Sequence, residues 1–127
     1  MDEQQHHEEL VKGIAEEMKP VLEKSEQAIY IYLDDTHKIC NKKFADLAGY
    51  ESPKKWADTE APLSDVVEED QQNVVDAYMN ASTKMTASTL EVRVKNIKTK
   101  KVVKTRMTIA PVGHAGHVFT VHFLSKI

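Results

Sequence analysis

Ile39-Cys40-Asn41-Lys42-Lys43-Phe44-Ala45-Asp46-Leu47-Ala48-Gly49-Tyr50 is the stretch on which the fold of this chain turns. Lys38-Ile39-Cys40 reads as a short strand. Asn41 suits an N-cap, because its amide oxygen accepts from the free N–H groups of a following turn. Phe44, Leu47 and Ala48 then form the apolar face of a short helix. Gly49 ends it, being the residue most able to take a left-handed conformation.

Working outward toward the N-terminus, Asp34-Asp35-Thr36 is turn chemistry. Before it, Ala28 to Leu33 is a dense β-branched, aromatic and aliphatic run, a strand with bulky groups on both faces. The two strands form a hairpin. Asp2 to Lys24 reads as an amphipathic helix, with Leu10, Val11, Ile14, Met18, Val21 and Leu22 at three- and four-residue steps. Pro20 predicts a kink or break near Lys19. The narrow stripe requires a partner, from the same domain or another chain.

Toward the C-terminus, Ser52-Pro53 starts a second short helix carrying Trp56, with Ser as cap and Pro at the first helical position. A loop with Pro62 leads to a turn around Asp65-Val66-Val67. Asp70 is expected to cap a longer helix with Val74, Val75, Tyr78, Ala81 and Ser82 on one side and Met79 beside them. After Met85 the period changes to two. Leu90, Val92 and Val94 oppose Glu91, Arg93 and Lys95; Val103, Thr105, Met107 and Ile109 oppose Lys104, Arg106 and Thr108. Residues 111–116 form a loop, and Val118 to Leu124 is a last strand, apolar on both faces. The order predicts an α+β domain: a single five-stranded antiparallel sheet with short helices on one face, preceded by the amphipathic helix. Residues 1–25 are assigned to that helix and 26–127 to the domain.

The length, 127 residues and 14.4 kDa, fits one domain. No apolar run approaches a membrane span, and the acidic start is unlike a signal peptide. A single cysteine, Cys40, forms no internal disulfide, which agrees with a cytoplasmic location. The net charge of −3 is unevenly spread: residues 1–27 hold 8 acids and 3 bases, and residues 84–127 hold 1 acid and 9 bases. Alternation puts Arg93, Lys95, Lys104 and Arg106 on one sheet face. Nucleic-acid binding is the competing use of that face, but only 2 of the 17 bases are Arg and no aromatic interleaves with them.

The strand-to-helix junction resembles that of the PAS family of sensor and interaction modules. The residues carrying the likeness are Asn41, Phe44, Gly49 and Tyr50, with Ser52-Pro53 and Trp56, over about Glu26 to the C-terminus. The loop 111–116, with its histidines, departs from the pattern. The resemblance implies a regulatory, non-catalytic domain that binds a small molecule between helices and sheet or mediates dimerisation, and that signals to another protein. It also implies a helix before the first strand that packs on the open sheet face or pairs with its twin. Here that helix is acidic, so opposite charge is expected to help dock it on the basic face, of its own chain or a partner.

The candidate ligand pocket comprises Phe44, Leu47, Tyr50, Trp56, Val75, Tyr78, Met79, Val92, Met107, Ile109 and Val121. The candidate homodimer interface comprises Leu10, Val11, Ile14 and Met18. Flavin adduct chemistry is disfavoured, because Cys40 precedes its Asn on a strand and reads as a small core residue. Haem is disfavoured, because the helix from Asp70 to Met85 lacks a His. His37 reads as a solvated turn residue. His114, His117 and His122 are weighed as metal ligands, with His6 and His7 as a further source. Exposed loop histidines are the preferred reading, and no metal is assigned. No nucleophile elbow, phosphate loop or zinc-protease motif appears. The acids Glu68-Glu69-Asp70 are explained by the helix dipole. A small cone-like isomerase or hydratase is the alternative class; it would place acid/base residues inside, where Val, Met, Ile and Phe are expected.

Overall fold

The computed structural model describes residues 2–59 and 62–127. Helix α1 spans Glu3–Lys24, followed by strands β1 (Ala28–Asp34) and β2 (His37–Cys40), then helices α2 (Lys42–Ala48) and α3 (Pro53–Ala57). A 3₁₀ turn at Pro62–Asp65 leads into α4 (Glu68–Lys84) and strands β3 (Ser88–Lys95), β4 (Val102–His114) and β5 (His117–Lys126). The strands make one antiparallel sheet in the order β2-β1-β5-β4-β3.

The junction at Asn41 is tied more firmly than a cap requires. Its Oδ1 accepts from the Phe44 N–H and from the Ile29 N–H, each at 3.0 Å, and its Nδ2 donates to the Gln27 carbonyl at 3.0 Å. One side chain thus fixes the start of α2 against β1. Gly49 ends α2 with φ +84°, and a Cβ there would meet the Asn96 side chain and lie 2.8 Å from the Lys98 backbone nitrogen. Asn96 Nδ2 reaches the carbonyls of Asp46 and Leu47, and the Ile97 N–H donates to Ala48 O, so the β3–β4 turn closes the end of α2. Glycine is therefore required by both angle and space.

Cross-strand register divides the sheet residues cleanly. The inner face, under α2, α3 and α4, carries Tyr30, Cys40, Val92, Val94, Met107, Ile109 and Leu124, packed with Phe44, Leu47, Trp56, Val74, Ala77 and Ala81. The outer face carries Ile29, Ile31, Phe119 and Val121, packed with Leu10 and Ile14 of α1. Val121 therefore sits opposite the position expected of it. It pairs with Ile31 and Ala110 in the outer row, and a strand apolar on both faces gives no alternation from which to choose.

Four local expectations change. The expected loop 111–116 narrows to a turn at Ala115-Gly116, because β4 continues to His114 and pairs with β5 as far as His114–His117. The helix α1 continues through Pro20 to Lys24. The ring replaces only one backbone donor there, and the next turn ends the helix. The N-cap of α4 is Val67, with no side-chain cap, because the Val66-Val67 segment bridges the edge of β3: Val66 pairs with Val94, and the Val67 N–H donates to Arg93 O. Asp70 lies in the first turn of α4 and receives the Arg93 backbone N–H at 2.8 Å and its guanidinium at 3.0 Å. The Arg93 fork holds the Asp70 carboxyl below the usual range. Finally, among the described residues no ion pair joins the acids of α1 to Arg93, Lys95, Lys104 or Arg106. The helix docks instead over β1, β2 and β5.

Candidate functional site

The inner face builds an aromatic cluster. Tyr30 packs on Phe44 (4.8 Å between centroids) and Trp56 (5.3 Å), which meet each other at 5.1 Å. On its other flank Tyr30 stacks on His122, 3.9 Å apart and 10° from parallel. Beside this stack lies a cavity of about 110 Å³, lined by Tyr30, Tyr32, Leu63, Val74, Tyr78 and His122 among others. Tyr78 meets Tyr32 edge-on at 5.3 Å, and the Tyr32 hydroxyl donates to Asp35 at 2.7 Å.

His122 is strongly perturbed by burial. It is 2% exposed, and its Nδ1 is buried with no hydrogen-bond partner among the described residues. Burial pushes its pKa down to about 3, against a smaller opposing pull from the backbone of Tyr30 and Thr120. The ring is neutral at physiological pH. A neutral imidazole stacked on a phenol, with a free ring nitrogen, can orient one polar atom of a small ligand.

A second polar group lies on the same face. Asp65, 2% exposed, accepts from the Tyr50 hydroxyl at 2.7 Å and from Trp56 Nε1 at 2.9 Å. Burial raises its pKa, countered by those two donors and by Lys38. Lys38 Nζ lies 5.1 Å from the Trp56 ring centroid and donates to the carbonyls of Asp35, Ala57 and Thr59. Burial lowers its pKa. The polar tips of Tyr50 and Trp56 thus find a carboxylate rather than a ligand. Cys40 is buried, and its thiol is pushed up to about 12, chiefly by burial, which makes it a poor nucleophile.

Of the eleven expected pocket residues, Val75 and Tyr78 line the cavity. Phe44 and Trp56 pack on Tyr30, Tyr50 serves Asp65, and Leu47, Val92, Met107 and Ile109 fill the core around them. Met79 does not take part: it is 48% exposed. The buried row of α4 is Val74, Ala77 and Ala81, and Met79 falls about 140° around the helix from Val74. Val121 faces α1. The residues missed were Tyr30, Tyr32, Asp35, Leu63, Val74 and His122 of the cavity, and Asp65 with Lys38. β5 offers no alternation that singles out His122; only its pairing with Tyr30 shows it to be a core residue and not a loop histidine.

His37 is also buried, at 5% exposure, and not solvated. Its Nδ1 lies 2.6 Å from Asp34 Oδ1, while His7 Nδ1 of α1 lies 3.0 Å from Asp34 Oδ2. Burial pushes the Asp34 carboxyl up, but hydrogen bonds from His37 and Thr36 outweigh it and hold it below the usual range. His114 sits against Glu17 at 3.1 Å, and His6 Nε2 lies 3.1 Å from His117 Nε2. The stripe expected at a dimer interface is covered by the chain's own sheet: Leu10 and Ile14 are buried, and Val11 and Met18 pack beside them.

No family model matches the chain, and no curated protein matches it. Solved structures do. The PAS domain of an HTR-like protein from Haloarcula marismortui is 13% identical, with TM-score 0.67 over 97% of this chain and 99% of that one. A PAS domain from Colwellia psychrerythraea is 18% identical, with TM-score 0.64 over 90% and 97%. A LOV protein of Rhodobacter sphaeroides is 13% identical, with TM-score 0.70 over 88% of this chain and 66% of that one. The chain has the PAS fold.

Proposed function

We propose that this chain is a non-catalytic sensor and interaction domain that takes a small, ring-sized molecule beside the Tyr30–His122 stack and reports it through α1. The observation that carries the reading is the shared strands. Tyr30, Tyr32 and His122 face the cavity, while Ile29, Ile31, Val121 and Phe123, alternating with them on β1 and β5, carry α1. A close-packed sheet transmits a displacement of one row to the other. A ligand acts only insofar as it binds one arrangement of α1 better than another.

The cavity, at about 110 Å³, is smaller than the ~300–1,000 Å³ usual for cofactor pockets and near the size that admits one aromatic ring. It does not hold a flavin or a haem as it stands. A fragment screen by two-dimensional NMR tests the reading, using phenol, indole and pyridine as probes. Binding is expected to shift resonances of Tyr30, Tyr78 and His122 together with amides of α1. Binding that leaves every α1 amide unmoved refutes the transmission.

For the partner, a second copy is the reading that charge favours. Glu8, Glu9, Glu16, Glu17 and Glu23 of α1 remain exposed, as do Lys95, Lys104 and Arg106 on the uncovered part of the outer sheet face. Acidic helix against basic strands gives a homodimer that weakens as salt rises. Light scattering at low and high ionic strength checks it; a monomer at both refutes it.

A further inference from the structure

Five of the six histidines gather where α1 crosses the hairpin ends of the sheet. Three donors among them converge: ligand atoms of His7, Asp34 and His37 all lie within 4.8 Å of one another. His7 comes from the second turn of α1, and Asp34 and His37 flank the β1–β2 turn. The rings of His7 and His37 meet edge-on at 5.3 Å, with Asp34 placing one oxygen on each.

We infer that His7, Asp34 and His37 form a binding site for a transition-metal dication of the zinc class, which ties α1 to the β1–β2 hairpin. Two imidazoles and one carboxylate are the donor set such ions favour, whereas calcium and magnesium call for oxygen alone. Bonds of about 2.0–2.1 Å in a tetrahedron place donors about 3.3 Å apart. The present separations of 3.0 Å and 2.6 Å from His7 and His37 to Asp34 need only small side-chain adjustments to reach that. Three protein donors leave a fourth position for water.

The donors on the hairpin are held in place: His37 is 5% exposed, and the Thr36 N–H and hydroxyl both donate to Asp34 Oδ1, at 3.0 Å and 3.1 Å. His7 is likewise flanked, with Nε2 3.9 Å from Glu3. The site is reachable, since the His7 and Asp34 side chains are 22% and 38% exposed. The neighbouring His6–His117 pair supplies only two donors and serves as the control.

The test uses the full chain with no polyhistidine tag. Zinc is titrated in competition with a chromophoric chelator, and cobalt is added separately to read the visible ligand-field bands. One equivalent is expected to bind with a tetrahedral cobalt spectrum. Loss of a supporting partner alone costs metal sites about 10–100-fold, so His7→Ala and Asp34→Asn should each weaken zinc by at least about 100-fold. His7 is partly exposed, so His7→Ala tests the site without disturbing the buried His37. His117→Ala should leave the affinity unchanged. Hydrogen exchange of the α1 amides should slow with zinc in the parent chain and not in His7→Ala. Equal zinc affinity in the parent and His7→Ala, or a loss in His117→Ala as large as in His7→Ala, overturns the assignment.

Discussion

Replacing His122 by Gln should flatten the acid limb of the stability curve. The ring is held near a pKa of 3, against an ordinary 6.5, because burial disfavours its charged form. A histidine depressed in the fold destabilises it as pH falls below the unfolded value, since only the unfolded chain takes up the proton. Each pH unit in that window costs about 1.4 kcal/mol. Between about pH 7 and pH 4.5 this amounts to about 2.5 kcal/mol, or about 10 °C in Tm for a chain of this length. Over that range the size is set almost wholly by the unfolded value, so it barely depends on how far below 4 the folded value lies. The other shifted carboxylates act elsewhere or oppositely. Asp34 and Asp70, both lowered, withdraw their stabilisation only as pH falls below their ordinary 3.8. Asp65, raised, destabilises the fold above 3.8, and that effect is relieved as pH falls. These contributions are common to both proteins and cancel in the difference. The assay is urea unfolding followed by Trp56 fluorescence, at half-unit steps of pH. Parallel curves for the parent and His122→Gln between pH 4.5 and 7 would refute the buried neutral imidazole.

Other perturbations have equally definite outcomes. Asp65→Ala strips acceptors from Tyr50 and Trp56 and removes one of the charges that face Lys38, after Asp35, so it should destabilise by about 3–5 kcal/mol by denaturant titration, and Asp65→Asn by less. Asn41→Ala loses the cap and strands the Ile29 N–H, for a loss of about 2–4 kcal/mol in the same assay. Removing residues 1–24 bares Ile29, Ile31, Phe119 and Val121, and light scattering should show aggregation or a new oligomer. A truncated chain with neither aggregation nor a new oligomer, and with the stability of the parent, would mean that α1 is not the cover of that face.

The junction around Asn41 was legible because its chemistry is local. A capping amide, a short apolar face and a glycine with positive φ need nothing from beyond a dozen residues, apart from the Asn96 contact that makes Gly49 obligatory. The strands β3 and β4 were legible for the same reason, since alternation of Val and Met against Lys and Arg fixes their faces. β5 was not. Its side chains are apolar on both faces, and only pairing with β1 shows that His122 looks inward and Val121 outward. Asp65 and Lys38 were invisible as a pair because 27 residues separate them. Turn acids and strand lysines are ordinarily solvated, and nothing in their flanks marks these two as buried. Likewise His37 and His7 read as surface histidines until α1 is laid across the hairpin.

Where α1 lies follows from magnitudes that the charge pattern obscures. An acidic helix and a basic sheet face suggest each other, yet each exposed ion pair contributes under about 1 kcal/mol. Burying a Leu or Ile side chain contributes about 1.5–3 kcal/mol. Leu10 and Ile14 are 5% and 1% exposed, and they cover Ile29, Ile31, Phe119 and Val121, which would otherwise face water. No arrangement of glutamates over Lys104 and Arg106 matches that gain. The helix therefore takes the apolar part of the outer face, and its polar links to the sheet are few and specific: His6 to His117, His7 to Asp34, and Glu17 to His114. Because those links are made by histidines and carboxylates, the chemistry that can loosen or tighten α1 is concentrated at these few contacts. The apolar stripe holds it along its length, and a ligand acting there need only tip a balance that burial has already set.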